Sequence, residues 1–220
     1  MIKAILFDLD GTLIDTAPDM GGALNNLLVE ENQDPLPLET IRTLVSQGGL
    51  VLTRLGFCGK VSEPEIEPLR QRFLQHYRAI VADQSRLFDG YAKILDRLDE
   101  RSVPWGIVTN KPEWLTDPLL QQLGLAQRCG VVIGGDTLAQ RKPHPLPLQV
   151  AAERLGVDCE QCVYVGDDER DIVAGKAANM KTLVAAYGYI EDIDAIRGWQ
   201  ADGVIDRPGD LLRHALMRQI

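Results

Sequence analysis

Asp8 and Asp10 stand one residue apart, directly after the apolar run that follows Lys3 (Ala4-Ile5-Leu6-Phe7) and just before Gly11-Thr12. Alternation along an ideal strand sends both carboxylates to the same side, and the glycine lets the backbone turn and aim them separately. Burying one carboxylate is costly, and burying two side by side is worse, unless a cation or protons compensate. Such a pair holds a metal or does chemistry; the bland alternative is a polar turn after an edge strand. Other polar sites follow apolar runs in the same way. Val103-Pro104-Trp105-Gly106-Ile107-Val108 runs into Thr109-Asn110, and the segment Asp136 to Pro147 carries Arg141-Lys142-Pro143-His144-Pro145. Val163-Tyr164-Val165 runs into Gly166-Asp167-Asp168, with Asp171 beyond.

The elements that must carry these groups fall into two stretches. From about Asp19 to Glu31, Leu24, Leu27 and Leu28 recur at helical spacing until Pro35 and Pro37 break the pattern. Further helices are expected from Leu38 to Val45, from about Leu50 to Leu55, and from near Pro64, where Leu69, Phe73, Tyr77 and Ile80 share a face. Helices without an intervening strand read as a small bundle. After Leu87-Phe88-Asp89-Gly90, helices and strands alternate: helix Tyr91 to Arg101, strand Pro104 to Val108, helix Glu113 to Leu123, strand Val131 to Ile133, helix Pro147 to Leu155, strand Cys162 to Val165, helix Asp168 to Ala178, strand Lys181 to Ala185, a strand near Val204-Ile205 and helix Asp210 to Arg218. The expected fold class is α/β, a doubly wound parallel sheet with helices on both faces and an inserted helical bundle. Residues 1–16 and 84–220 are expected to form the core and residues 17–83 the insert. In such a sheet, functional groups collect beyond the carboxyl ends of the strands, where all the polar motifs lie.

In this order, DLDGTLIDTAPD, VTNKP, RKPHP and VGDDERDI resemble the motifs of the haloacid dehalogenase superfamily of phosphatases, in particular its phosphoglycolate phosphatase branch, with N-acetylmuramic acid 6-phosphate phosphatases close by. The resemblance spans essentially the whole chain. It implies that Asp8 is the nucleophile that becomes an aspartyl phosphate, and that Asp10 protonates the leaving oxygen and then deprotonates the attacking water. Thr109, with the backbone of Asn110, would donate to a phosphoryl oxygen, and Lys142 would neutralise phosphate charge and steady Asp8. Asp8, the backbone carbonyl of Asp10 and Asp167 would hold Mg²⁺, with Asp171 reaching it directly or through water; hard oxygen ligands suit magnesium better than zinc. Gln47, Gly48 and Gly49 match the loop that reads the leaving group. Some relatives carry arginine near the place of Leu50; here the expected cationic contact to a substrate carboxylate falls to Arg42 or Arg54. Asp168 is expected as a helix cap, Thr12 as support for the acidic turn, His144 as structural and Arg141 as a surface residue.

A net charge of −9 argues against nucleic acid as a partner, because phosphate backbones attract clustered Lys and Arg. A small phosphorylated metabolite is the expected partner, since a metal and one lysine reverse the field locally. No apolar run reaches the roughly 18 residues a membrane span needs. No basic and apolar leader opens the chain, so a cytoplasmic monomer or homodimer is expected. Cys58, Cys129, Cys159 and Cys162 suit a reducing compartment; Cys159 and Cys162 have redox spacing but precede a strand, and read as structural. A receiver domain would carry its acidic pair and its phosphorylated aspartate on different strands. A phosphosugar mutase would shield the aspartyl phosphate from water, and a silent binding protein would have lost a core carboxylate. None of these suits the chain as well as a hydrolase.

Overall fold

The computed structural model describes residues 1–214. Strand β1 (Ala4–Phe7) leads through a short strand β2 (Ile14–Asp15) into helices α1 (Ala17–Glu30), α2 (Leu38–Arg42), α3 (Gly49–Gly56) and α4 (Glu63–Ala79). A short strand β3 (Arg86–Leu87) follows, then α5 (Tyr91–Glu100), β4 (Trp105–Val108), α6 (Glu113–Gln122), β5 (Val131–Ile133), α7 (Leu146–Leu155), β6 (Cys162–Gly166), α8 (Glu169–Ala177), β7 (Lys181–Ala185) and β8 (Gly203–Ile205). Six strands form one parallel sheet in the order β5-β4-β1-β6-β7-β8. With β4 on one side of β1 and β6 on the other, the crossovers leave β1 in opposite directions and open a crevice at its carboxyl end.

The period-two pattern of β1 divides its side chains between two cores. Ile5 and Phe7 join a cluster with Leu95 and Leu98 of α5 and Leu115 and Leu119 of α6. Ala4 and Leu6 join a second cluster with Leu148 and Ala151 of α7 and Ala174 of α8. Both faces of the sheet are therefore covered, which is why its central strands are apolar throughout rather than alternating.

Helices α1 to α4 pack on one another, and their apolar faces belong to the same cluster as Ile5 and Phe7. The start of α4 is set by a capping box, Ser62 with Glu65, ahead of Pro64. Leu69, Phe73 and Tyr77 of α4 are buried, as their spacing predicts. The helix expected from Leu38 to Val45 is shorter: α2 stops at Arg42, and Val45–Gln47 is a separate 3₁₀ turn. The turn ends at Gly48, whose φ of 88° and ψ of 176° are open to glycine and strongly disfavoured for other residues. The antiparallel pair β2–β3, on which the helical insert stands, has no counterpart in the sequence reading; two-residue strands are too short to carry a periodicity. The helix expected from Asp210 is, as far as Arg213, a 3₁₀ segment (Pro208–Arg213); its remainder toward Arg218 lies outside the described residues.

Candidate active site

Because the sheet strands are parallel, the turns after β1, β4 and β6 open on the same edge. Asp8, Asp10, Thr109, Asn110, Lys142, Gln47, Gly48 and Gly49 line one cavity of about 690 Å³. Asp167 and Asp171 lie beneath it, with one carboxylate oxygen each of Asp8, Asp167 and Asp171 within 4.8 Å of one another. The structure therefore gathers the candidate phosphoryl- and metal-binding residues and the loop Gln47-Gly48-Gly49 around a single centre, although those residues come from distant parts of the chain.

Lys142 is the hub of the buried part. Its Nζ lies 2.8 Å from Asp8 Oδ1 and 2.7 Å from Asp171 Oδ1. It also donates to Tyr164 Oη at 2.8 Å, and that hydroxyl donates to the carbonyl of Val108 at 2.8 Å. The lysine is 2% exposed. Burial works against its charge, but the neighbouring Asp171 and Asp8 carboxylates win and raise its pKa. Asp8 Oδ1 also accepts the N–H of Leu9, at 2.7 Å. Asp171 is committed on both oxygens: besides Lys142, its Oδ2 accepts the Asp168 N–H at 3.1 Å, completing a capping box at the start of α8. Asp168 is the cap residue the sequence predicts.

Asp10 is held from two directions. Thr16 Oγ1 donates to its Oδ1 at 2.6 Å, and Lys111 Nζ lies 2.9 Å from the same oxygen. Lys111 is buried and stacks over the Tyr77 ring of α4, 4.4 Å from the centroid. Thr109 is buried at the end of β4, where its Oγ1 accepts the N–H of Lys111 at 3.1 Å. Asn110 donates from Nδ2 to the Lys142 carbonyl at 2.9 Å, while its Oδ1 has no partner among the described residues.

Asp167 is 2% exposed. Its oxygens accept from Thr12 Oγ1 (2.8 Å), Ser46 Oγ (2.9 Å) and the Tyr189 N–H (2.9 Å). Burial first, and the charge of Asp171 second, push its pKa up to about 7 against these hydrogen bonds. Burial likewise lifts Asp8 well above the usual carboxylate range, against the pull of Lys142. This crowding of buried carboxylates, only partly offset by Lys142, and their all-oxygen donor set fit a small hard dication. Gly11 makes the crowding possible: its φ is +82°, and a Cβ there would meet Asp167 Oδ2 at 2.2 Å.

Several side chains at or beside the cavity are not singled out by the sequence analysis. Lys111 was legible only as part of VTNKP, and Tyr164 looked like an ordinary strand residue. Ser46 stands directly before Gln47-Gly48-Gly49, and Arg70 lies on α4. Arg42 and Arg54 do not line the cavity. Arg42 pairs with Asp15 at 2.8 Å and stacks on Tyr189, and Arg54 pairs with Glu63 on the surface. The arginines that line it are Arg70, Arg141 and Arg170. Arg141 is exposed, as expected, but at the cavity mouth. His144 is exposed, and its Nδ1 accepts the Leu146 N–H within its own turn.

Residues 5–185 match the model of the haloacid dehalogenase-like hydrolases. The chain is 48% identical over 217 residues to a phosphoglycolate phosphatase of Xanthomonas campestris pv. campestris, covering 99% of this chain and 98% of that one. It is 38% identical over 211 residues to the N-acetylmuramic acid 6-phosphate phosphatase of Pseudomonas aeruginosa, covering 96% and 93%. A solved structure of a predicted phosphoglycolate phosphatase from Haemophilus somnus 129PT superposes with a TM-score of 0.86 at 28% identity, over 96% of this chain and 97% of that one.

Proposed function

The chain belongs to the haloacid dehalogenase-like hydrolases and is a phosphatase, and on that premise we propose that it hydrolyses small phosphate monoesters through an aspartyl phosphate on Asp8, with Mg²⁺ as cofactor. The observation that carries the reading is the joint placement of Asp8, locked by Lys142 at 2.8 Å, and Asp10, held by Lys111 at 2.9 Å, on one cavity.

In this reading an Asp8 oxygen attacks phosphorus while the ester P–O bond breaks. Asp10 gives its proton to the departing oxygen, and the alcohol leaves. Water then attacks the aspartyl phosphate and passes a proton back to Asp10, and the Asp8–phosphorus bond breaks to release inorganic phosphate. One group serves both half-reactions because they run in opposite proton directions, a contribution of about 10²–10⁴-fold. Asp8 Oδ2 carries no protein donor among the described residues, so it is the oxygen free to attack. Thr109 and Lys142 bind the phosphoryl oxygens and stabilise the charge that spreads over them. Asp8, the Asp10 carbonyl and Asp167 would hold the magnesium ion, with Asp171 behind them; the ion supplies charge neutralisation for the phosphoryl oxygens.

Residues 17–83 act as a cap over a core formed by 1–16 and 84–220, with Gln47, Gly48 and Gly49 facing the leaving group. The curated relatives make 2-phosphoglycolate the first substrate to test. A second reading, an amino-sugar acid phosphate, is favoured by the cavity volume of about 690 Å³, which is generous for a two-carbon acid. A cytoplasmic site of action accompanies both. The proposal is tested by phosphate release from a panel of esters with magnesium, and by acid-quench trapping of a phosphoenzyme. Label on wild-type protein and none on Asp8→Asn is expected; turnover by folded Asp8→Asn would overturn it.

A further inference from the structure

The ionisable side chains that line the cavity are matched almost one to one. Lys111 pairs with Asp10 at 2.9 Å and Lys142 with Asp8 at 2.8 Å. Arg70 forks onto Glu67, Nε to Oε2 and Nη2 to Oε1, both at 2.7 Å. Arg170 forks onto Asp168 through Nε (2.8 Å) and Nη2 (2.7 Å). Arg141 is left over: it lines the same cavity, and no acidic partner holds it among the described residues. An arginine fork already closed on a carboxylate has little left to offer a second one, whereas an open fork accepts a carboxylate in bidentate fashion.

Its place in the chain adds direction. Arg141 is bonded to Lys142, whose ammonium is fixed at Asp8, so the backbone of Arg141 is fixed relative to the phosphoryl position. Lys142 is buried and Arg141 exposed, so the pair divides between the floor of the cavity and its mouth, where the leaving group of an ester bound at Asp8 must extend. In a chain of net charge −9, an anionic leaving group needs one local cation that is not already neutralised.

We infer that Arg141 is a specificity-determining residue that binds a carboxylate on the leaving group, making phosphate monoesters of hydroxy acids the substrate class. The inference rests on the phosphatase reading and deepens it. Matched esters test it: 2-phosphoglycolate against 2-hydroxyethyl phosphate, and N-acetylmuramic acid 6-phosphate against N-acetylglucosamine 6-phosphate. Within each pair the carboxylate-bearing part is the difference. The wild-type enzyme is expected to favour the acid in at least one pair. Arg141→Gln is expected to lower that preference about tenfold, mainly through KM, the scale of one charge-assisted hydrogen-bonded contact, and Arg141→Lys to restore part of it. Turnover of the neutral ester reports that each variant is folded. A wild-type enzyme without preference for either acid, an unchanged preference in Arg141→Gln, or a loss confined to Arg70→Gln overturns the inference. Failure of the wild-type enzyme to release phosphate from any ester overturns the phosphatase reading instead.

Discussion

Lys111 Nζ sits 2.9 Å from Asp10 Oδ1, with both groups nearly out of solvent: their side chains are 4% and 14% exposed. Burial alone would strip the lysine of its charge, yet the Asp10 carboxylate more than offsets this and raises the pKa of Lys111. The ammonium therefore stays charged at working pH and keeps Asp10 aimed at the cavity.

Lys111→Met should leave Asp10 with only the Thr16 hydrogen bond and a partly buried, unpaired charge. Thermal unfolding should show a loss of roughly 2 kcal/mol, below the full cost of breaking a buried pair because Asp10 is not wholly buried. Steady-state kinetics should show kcat reduced about 10–100-fold, with Lys111→Arg recovering part of it. Unchanged kcat would show that Asp10 needs no such support.

Tyr77→Phe should be neutral or stabilising. The ring face carries Lys111, 4.4 Å from the centroid, while the buried hydroxyl has no hydrogen-bond partner of good geometry among the described residues. Removing an unsatisfied buried hydroxyl relieves a cost of about 1 kcal/mol and keeps the cation–ring contact. Tyr77→Leu removes the contact and should destabilise. The denaturant midpoint should fall for Tyr77→Leu and should not fall for Tyr77→Phe.

Asp10→Asn should separate substrates by leaving group. An aryl phosphate with an acidic phenol needs little protonation and should still phosphorylate Asp8; an alkyl ester should not. Burst kinetics with both classes measures this. Equal losses for both would remove Asp10 from the general-acid role.

The metal-free protein should lose stability as pH rises. The pKa of Asp167 stands at about 7 in the folded protein against an ordinary 3.8. A carboxylate raised on folding contributes stability that is complete below its ordinary value and lost as pH climbs through the folded one. Melting temperature with chelator present should therefore fall between about pH 4 and pH 7, and magnesium should flatten the fall. Asp167→Asn should melt higher than wild type at pH 8 without metal, while abolishing magnesium-dependent activity. A melting temperature of the metal-free wild type that is flat over this range would contradict the crowding of Asp8, Asp167 and Asp171.

Gln47→Ala should change the ranking of esters more than their common rate, because Gln47 lines the cavity from the helical insert whereas Thr109 and Lys142 do so from the sheet edge. Comparing kcat/KM over acid, sugar and aryl phosphates checks this; a uniform factor would make the loop purely structural. Gly48→Val is a poorer probe. Nothing lies within 4 Å of the added Cβ, but a φ of +88° would strain the backbone regardless of substrate.

Most of the site was legible because parallel strands put charged residues at their ends, and a run such as Val163-Tyr164-Val165 stopping at Gly166-Asp167 marks such an end by composition alone. What escaped depends on side chains reaching across the fold. Lys111 is an unremarkable lysine until Asp10 and Tyr77, distant in sequence, close around it. Tyr164 has the hydropathy of a core residue, and only its hydroxyl, bonded to Lys142 and Val108, shows its second task. The arginines cannot be placed from sequence for the same reason: helical spacing does not distinguish Arg54, which points to Glu63 on the surface, from Arg70, which borders the cavity.

The antiparallel pair β2–β3 places Ile14 opposite Leu87 and Asp15 opposite Arg86. Paired strands run roughly 5 Å apart, so the chain leaves the sheet and returns to it through one narrow doorway. A segment attached this way is a graft: helices of another length or shape could be spliced in at the same two points without shifting the register of β1 against β4 and β6. In the function proposed above, the carboxylates at the sheet edge act on phosphorus and the helical segment selects the ester, so the two could diverge independently, with new substrates reached by exchanging the graft while the chemistry stays in place.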